Sequence, residues 1–277
     1  MLEKIKKEEK GETIITRKQV PLDIEFQDGS KKTIKVNERI ISALKEKRAN
    51  FLIDNTDDNL TISKDFFSSN LYVPNVYRYT LKKNDGCFTL FSFKEKNASF
   101  QKSQFNDRLI SEENEIPTIA LILESPHNDE YDYSGDNLTP IAPAQGITGK
   151  MVFAKLDELL NDSGYLDLFD KEEYRVIIVN PIPVQTSLIF LHDSALSGVY
   201  KTLRDKIWIS LWENGNFKTE FNKILDEIKA EIILNCCTSN LTSFVSSTIE
   251  SKKKVLELHH PSSWWRNNKQ IKINKLN

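Results

Sequence analysis

Two short stretches of the chain gather side chains that can hold, donate or accept a proton. The first is Glu124-Ser125-Pro126-His127, with Asp129 two residues further on. The second is His259-His260-Pro261-Ser262, followed by Trp264, Trp265 and Arg266. Each follows an apolar run: Ile119-Ala120-Leu121-Ile122-Leu123, introduced by Pro117, and Val255-Leu256-Glu257-Leu258. Five apolar residues in succession read as a strand buried on both faces, as in parallel sheets covered by helices. Open α/β sheets bind ligands at the carboxyl ends of their strands. A strand that ends in a carboxylate, a hydroxyl and an imidazole is therefore a candidate active-site edge. His259 and His260 are neighbours in an extended segment and point to opposite sides, so only one can serve a given site.

Composition bounds the setting. The chain has 277 residues, 39% hydrophobic and 28% charged, enough for one large domain or two small ones. No apolar run approaches the roughly 18 residues that span a bilayer, and the Lys/Glu-rich start lacks the apolar stretch of a signal peptide. Cys87, Cys236 and Cys237 form no disulfide framework and cannot supply four thiolates to an iron–sulfur cluster or zinc site. A cytoplasmic location with no membrane partner and no cofactor is the expectation. The net charge of −2 argues against indiscriminate nucleic-acid binding. Charge is unevenly spread, with eight acids and no Lys or Arg over 109–149, and seven Lys/Arg and one acid over 251–277. A polyanion would approach the C-terminal side first, where Lys252, Lys253, Lys254, Arg266 and Lys269 lie.

The elements that must position the two stretches follow from periodicity. Alternation over 23–26 and 33–36 around Asp28-Gly29 predicts a hairpin. Asn37 caps a helix running to about Arg48, with Ile40, Ile41 and Leu44 on its apolar face. A second hairpin is expected over 71–93. Residues 1–112 thus read as a mixed α/β extension, β-containing and without a motif that carries chemistry. From 113 to 277 strands alternate with helices: strands 117–124, 174–180, 231–236 and 253–259, and helices over 148–161, within 193–229, and over 239–250. That pattern predicts βαβ units and a parallel sheet with its strand ends on one edge. Asn180 and Asn235-Cys236-Cys237-Thr238 end the other two strands. The long, Gly- and Pro-marked loop 132–147 leads into the first helix and lies beside this edge.

In this order and context the motifs resemble the uracil-DNA glycosylase superfamily. Leu123-Glu124-Ser125-Pro126-His127 is similar to its first motif, which reads Gly-Glu-Ala-Pro-Gly in the iron–sulfur branch. Ala144-Gln145-Gly146-Ile147-Thr148-Gly149-Lys150 is similar to that branch's glycine-bearing segment. Strand 176–180 resembles the strand whose terminal Asn reads the flipped base, and His260-Pro261-Ser262 resembles the second motif. The resemblance covers about 116–267 and implies a three-layer α/β/α fold on a four-stranded, mainly parallel sheet, in the order 2-1-3-4. It departs from the best-known branch at Ser125, where a water-activating Asp stands, and at His127, where a Tyr shields the base. The cluster cysteines of the iron–sulfur branch are absent.

The resemblance implies a DNA glycosylase that hydrolyses the N-glycosidic bond of a flipped-out, non-standard base and leaves an abasic site. His260 would donate to the base, and Glu124 or Asp129 would orient water and face the sugar cation. Asn180, Ser125 and His127 would contact the base. Ser262, Trp264, Trp265, Arg266 and Lys150 would hold the DNA. The substitution at His127 points to a base larger than uracil, such as the C5-modified pyrimidines of phage DNA, and so to phage defence. The alternatives are a catalytically silent DNA- or nucleotide-binding module of the same fold, a uracil repair glycosylase, and a hydrolase of free nucleosides. Structural readings compete residue by residue: Glu124 as a helix cap, Trp264 and Trp265 as packing, Cys236 and Cys237 as buried thiols, His192 and Asp193 as a helix start.

Overall fold

The structure is a computed structural model that describes residues 18–47, 49–55, 59–94, 100, 102–134, 137–192, 200–252, 254–265 and 273–276. Both expected hairpins form at their Asp-Gly pairs. Gln19–Glu25 (β1) pairs antiparallel with Lys31–Asn37 (β2). In the second hairpin Asp85 and Gly86 take φ of 49° and 80°. Two consecutive positive φ values match the twist of the strands they join, here Val76–Asn84 (β5) and Cys87–Ser92 (β6). Asn37 accepts from the Arg39 N–H at 3.0 Å and starts Glu38–Lys47 (α1), whose Ile40, Ile41 and Leu44 are buried. Arg48, the expected end of that helix, lies outside the described residues. Leu52–Asn55 (β3) and Asn59–Ile62 (β4), unforeseen from the sequence, complete a small sheet in the order β2-β1-β4-β3.

The main sheet is built on four parallel strands. Thr118–Ile122 (β7), Glu173–Val179 (β10), Ala230–Asn235 (β11) and Val255–Leu258 (β12) lie in the order β10-β7-β11-β12. Numbered along the chain, that is 2-1-3-4. Among the described residues the sheet has seven strands rather than the expected four, because β5 and β6 add antiparallel beyond β10, and Ile273–Leu276 (β13) adds antiparallel beyond β12. The strands of 76–92, assigned from sequence to the N-terminal extension, thus share a sheet with the α/β part. Burial gives the reason. Residues 76–81 are all buried, so this strand needs cover on both faces, which a small separate unit does not provide.

The mixed α/β character follows from how each strand divides its side chains. Ile119 and Leu121 of β7 join one apolar cluster, with Val152, Leu156 and Leu160 of Ile147–Asn161 (α2). Ala120 and Ile122 join the other. There they meet Trp208 of Tyr200–Asn214 (α4), Phe221 of Phe217–Glu227 (α5) and Val245 of Ser239–Ile249 (α6), together with Leu22 and Ile62 of the small sheet. Because β7, β11 and β12 are parallel, Leu123-Glu124 and His259-His260 emerge on the same edge. Among the described residues no helix is long and apolar enough to cross a membrane.

One buried ion pair ties the extension to this edge. The Arg78 guanidinium on β5 meets Asp107 at 2.5 and 2.9 Å, and both side chains are fully buried. Its remaining N–H groups reach the carbonyls of Pro143 and Ala144 at 2.6 and 2.9 Å, in the segment that enters α2. Removing one partner of such a pair strands the other charge. Asp107→Ala is expected to lower the unfolding free energy by roughly 3–5 kcal/mol in equilibrium denaturation. A loss under about 1 kcal/mol, the level of an exposed pair, would show that water reaches Arg78.

Candidate functional site

A cavity of about 380 Å³ opens at the carboxyl end of β7, within the size range of small-ligand sites. Six residues expected at the site line it: Glu124, Ser125, His127, Asp129, His260 and Ser262. The sheet explains the convergence, since β7 and β12 deliver their ends to one edge with β11 between them. A second cavity of about 740 Å³ adjoins the first and shares Lys201, Arg204, Thr238, His260 and Ser262 with it. His259 lines only the second, as neighbours in an extended segment should.

Glu124 is the most constrained of these residues. Its carboxylate is 7% exposed. One oxygen accepts from Arg204 Nη1 at 2.6 Å and the other from the Thr238 N–H at 3.0 Å. Thr238 is the N-cap residue of α6, so the helix-cap reading of Glu124 holds alongside the ion pair. Arg204 is itself fixed by Asp205 at 2.9 and 2.6 Å and by Thr238 Oγ1 at 3.2 Å. These contacts fix Glu124 on the cavity wall, and each oxygen keeps a further lone pair toward which water can be oriented. Asp129, exposed on the cavity wall, is a second carboxylate open to it.

His260 is poised as a neutral donor. Its Nδ1 accepts from the Ser262 N–H at 3.3 Å and meets Ser262 Oγ at 2.8 Å. That places the ring proton on Nε2. Desolvation pushes its pKa below the ordinary 6.5, so the ring stays neutral through the neutral range. Ser125 Oγ lies 2.7 Å from Thr186 Oγ1. His127 is exposed at the cavity.

Other expected residues fall elsewhere. Asn180 is 3% exposed and does not line the cavity, and neither atom of its amide finds a partner among the described residues. Trp264 is fully buried in the core and its indole N–H donates to the His259 carbonyl at 2.7 Å. It cannot wedge into DNA, and the packing reading is the correct one. Trp265 is 69% exposed on the second cavity. Lys150 is exposed on α2 and lines neither cavity. Arg266, Lys253, Lys269 and Asp193 lie outside the described residues. Lys252 and Lys254 are paired with Asp226 at 2.6 Å and Asp170 at 3.1 Å. His192 lies in the short helix Ile189–His192 (α3), which begins three residues before it. Cys236 and Cys237 are buried, and the Cys237 thiol donates to the Leu123 carbonyl at 2.6 Å. Among the described residues no cluster of His, Cys, Asp and Glu could hold a metal ion.

The 132–147 segment is more ordered than a loop, because Tyr131–Ser134 (β8) and Asn137–Pro140 (β9) pair as a hairpin. Behind it lies Glu130, a site residue that sequence reasoning missed. It lines the cavity at 6% exposure. Its Oε1 accepts from the Ala144 N–H at 2.7 Å and its Oε2 from the His127 N–H at 3.2 Å. Burial pushes its pKa up to about 8. Ser187 also lines the cavity, with a buried hydroxyl that has no partner among the described residues. Arg204 and Lys201, the cations here, carry no local signal, since Arg204 meets Glu124 across 80 positions of chain.

No protein-family model matches the chain, and no curated protein or solved structure matches it either.

Two glycines at the entry to α2 differ in what they protect. The three atoms nearest a Cβ on Gly146 all belong to Asp129, with Oδ2, the far end of that exposed side chain, at 2.3 Å. A Cβ on Gly149 would meet the Ala144 carbonyl oxygen at 2.0 Å and the Phe105 ring at 2.7 Å. Gly146→Ala should therefore displace Asp129 and change stability by less than about 1 kcal/mol. Gly149→Ala should cost about 1–3 kcal/mol through overpacking, despite alanine's better helix propensity. Thermal melts of the two variants check this, and equal melting temperatures would contradict the packing described.

Proposed function

We propose that the chain is a DNA glycosylase built on a uracil-DNA-glycosylase-like three-layer α/β/α core, with β10-β7-β11-β12 as its four central strands. The observation that carries this reading is the meeting of two strand ends at one cavity, with a neutral His260 holding its proton on Nε2. N-glycosidic cleavage separates charge between an oxocarbenium-like sugar and a departing base. A donor aimed at the base and a carboxylate near the sugar stabilise opposite ends of that transition state.

In this reading the flipped nucleotide occupies the 380 Å³ cavity. His260 Nε2–H donates to a base oxygen, and Asp129 orients the water. The second cavity, with exposed Trp265 on its wall, takes an adjoining nucleotide by stacking. The unpartnered amide of Asn180 supports a base-reading role, because an unsatisfied buried polar group costs about 1–3 kcal/mol and persists where function uses it. Its place off the cavity wall requires the side chain to turn toward the base. His127 at the cavity is compatible with a C5-modified pyrimidine, and phage defence is the corresponding biological role.

Ser125, standing where the best-known branch keeps a water-activating Asp, favours a second reading, a module of the same fold that binds DNA or a nucleotide without cleaving it. An abasic-site assay separates the two, run on duplexes carrying uracil, thymine, hydroxymethylcytosine or glucosylated hydroxymethylcytosine, with free nucleosides beside them. Base release from a duplex supports the glycosylase. Binding without release supports the silent module, and release of uracil alone identifies a repair enzyme. His260→Ala is expected to slow release by about 10²–10³-fold without unfolding the protein. Full activity in that variant would remove His260 from the reaction.

A further inference from the structure

We propose that Glu130 is the proton donor to the departing base, and that the cavity therefore serves a base carrying an amino group rather than uracil. This inference rests on the glycosylase reading. The geometry is specific. Glu130 and Asp129 are consecutive carboxyl groups on the wall of one cavity, yet Asp129 is exposed while Glu130 is 6% exposed. Two titratable groups in opposite environments at one site mark a division of acid and base roles. The two oxygens of Glu130 are also unequal. Oε1 is held at 2.7 Å by the Ala144 N–H, whereas Oε2 has only the 3.2 Å contact from the His127 N–H. Oε2, the more weakly held of the two, keeps a lone pair and is the oxygen assigned the proton.

The surroundings favour that proton. The charged groups facing Glu130 are Asp129 on its own turn, which raises its pKa, and Arg78 from β5, which lowers it. Arg78 is already bound to Asp107 and to the Pro143 and Ala144 carbonyls. Desolvation outweighs these and takes the carboxyl from the ordinary 4.5 to about 8, so it is protonated at neutral pH.

The step balances as follows. The C1′–N bond breaks and its electron pair goes to the base. The Glu130 proton moves to a ring nitrogen or carbonyl oxygen, and the base leaves neutral. Water bonds through oxygen to C1′, its proton leaves by way of Asp129 to solvent, and Glu130 regains a proton from solvent. Uracil leaves as a stabilised anion and gains little from this transfer. An aminopyrimidine such as cytosine or its hydroxymethyl derivative is a poorer leaving group and depends on it.

The test compares wild-type protein with Glu130→Gln on duplexes carrying uracil, cytosine or hydroxymethylcytosine, from about pH 6 to pH 9.5. The expected wild-type rate on an aminopyrimidine is level below about pH 8 and falls about tenfold per pH unit above it. The variant should be at least about 10²-fold slower on that base, without this limb, and should lose less than that on uracil. A wild-type profile flat to pH 9.5, an unimpaired variant, or release of uracil with both amino bases untouched would each overturn the proposal. Stability gives a readout apart from catalysis. A carboxyl whose folded pKa is raised binds its proton more tightly folded than unfolded, so stability falls as pH rises from 4.5 toward 8. The denaturant midpoint of the wild type should drop over that window and that of Glu130→Gln should not. A missing drop in the wild type overturns the protonation itself. Wild-type protein that releases no base from any duplex overturns the glycosylase reading, and this proposal with it.

Discussion

A carboxylate at the end of the central strand of a sheet cannot remain buried without a cation, and much of the candidate site is arranged around that requirement. Glu124 lies two residues past β7, Arg204 reaches it from α4, and Thr238 offers its N–H from the start of α6. Desolvating two charges is costly, and it is tolerated where hydrogen bonds satisfy the remaining lone pairs and protons. Asp205 and the Thr238 hydroxyl do this for Arg204. The Trp208 indole, from the same helix as Arg204, donates to the Glu124 carbonyl at 2.8 Å. One residue thereby fixes a strand end, a helix face and a helix start, and the floor of the cavity is rigid before any ligand arrives.

That rigidity divides labour among the acids. Glu124 is immobilised by charge pairing, Glu130 by burial against two backbone N–H groups, and Asp129 stands in water between them. Three carboxyl groups within seven residues of sequence thus have three environments. Environment, more than residue type, determines which can hold, donate or accept a proton.

The sequence showed the parallel core because its signals are local. Apolar runs at 119–123 and 176–179, Asp-Gly turns at 28–29 and 85–86, and the Asn37 cap all act within a few residues. It did not show that β5 joins the main sheet, because strand partners are chosen by burial across about a hundred residues of chain. The site divided the same way. Ser125, His127, Asp129, His260 and Ser262 sit where strand ends put them, whereas Arg204 and Lys201 arrive from a helix whose sequence gives no hint of its target. Trp264 and Trp265 are adjacent and of one type, yet one is fully buried and the other 69% exposed. Only the turn after His260-Pro261 separates them, and neither composition nor periodicity reports on a single turn.

The reach of Arg78 into the Pro143–Ala144 carbonyls has a consequence for how such a chain can be inherited. A catalytic domain is often treated as a cassette that can be fused, trimmed or exchanged at a linker. Here the cut that looks natural, near residue 112, would remove β5, Arg78 and Asp107 together. It would expose a flank of β10 and leave the entry to α2 without the guanidinium that holds it. Recombination at that point would yield a partner with an open sheet edge, the kind that pairs with other chains. The N-terminal segment and the cavity would then have to change together, and any new leading segment would need both a strand to dock and an arginine to place.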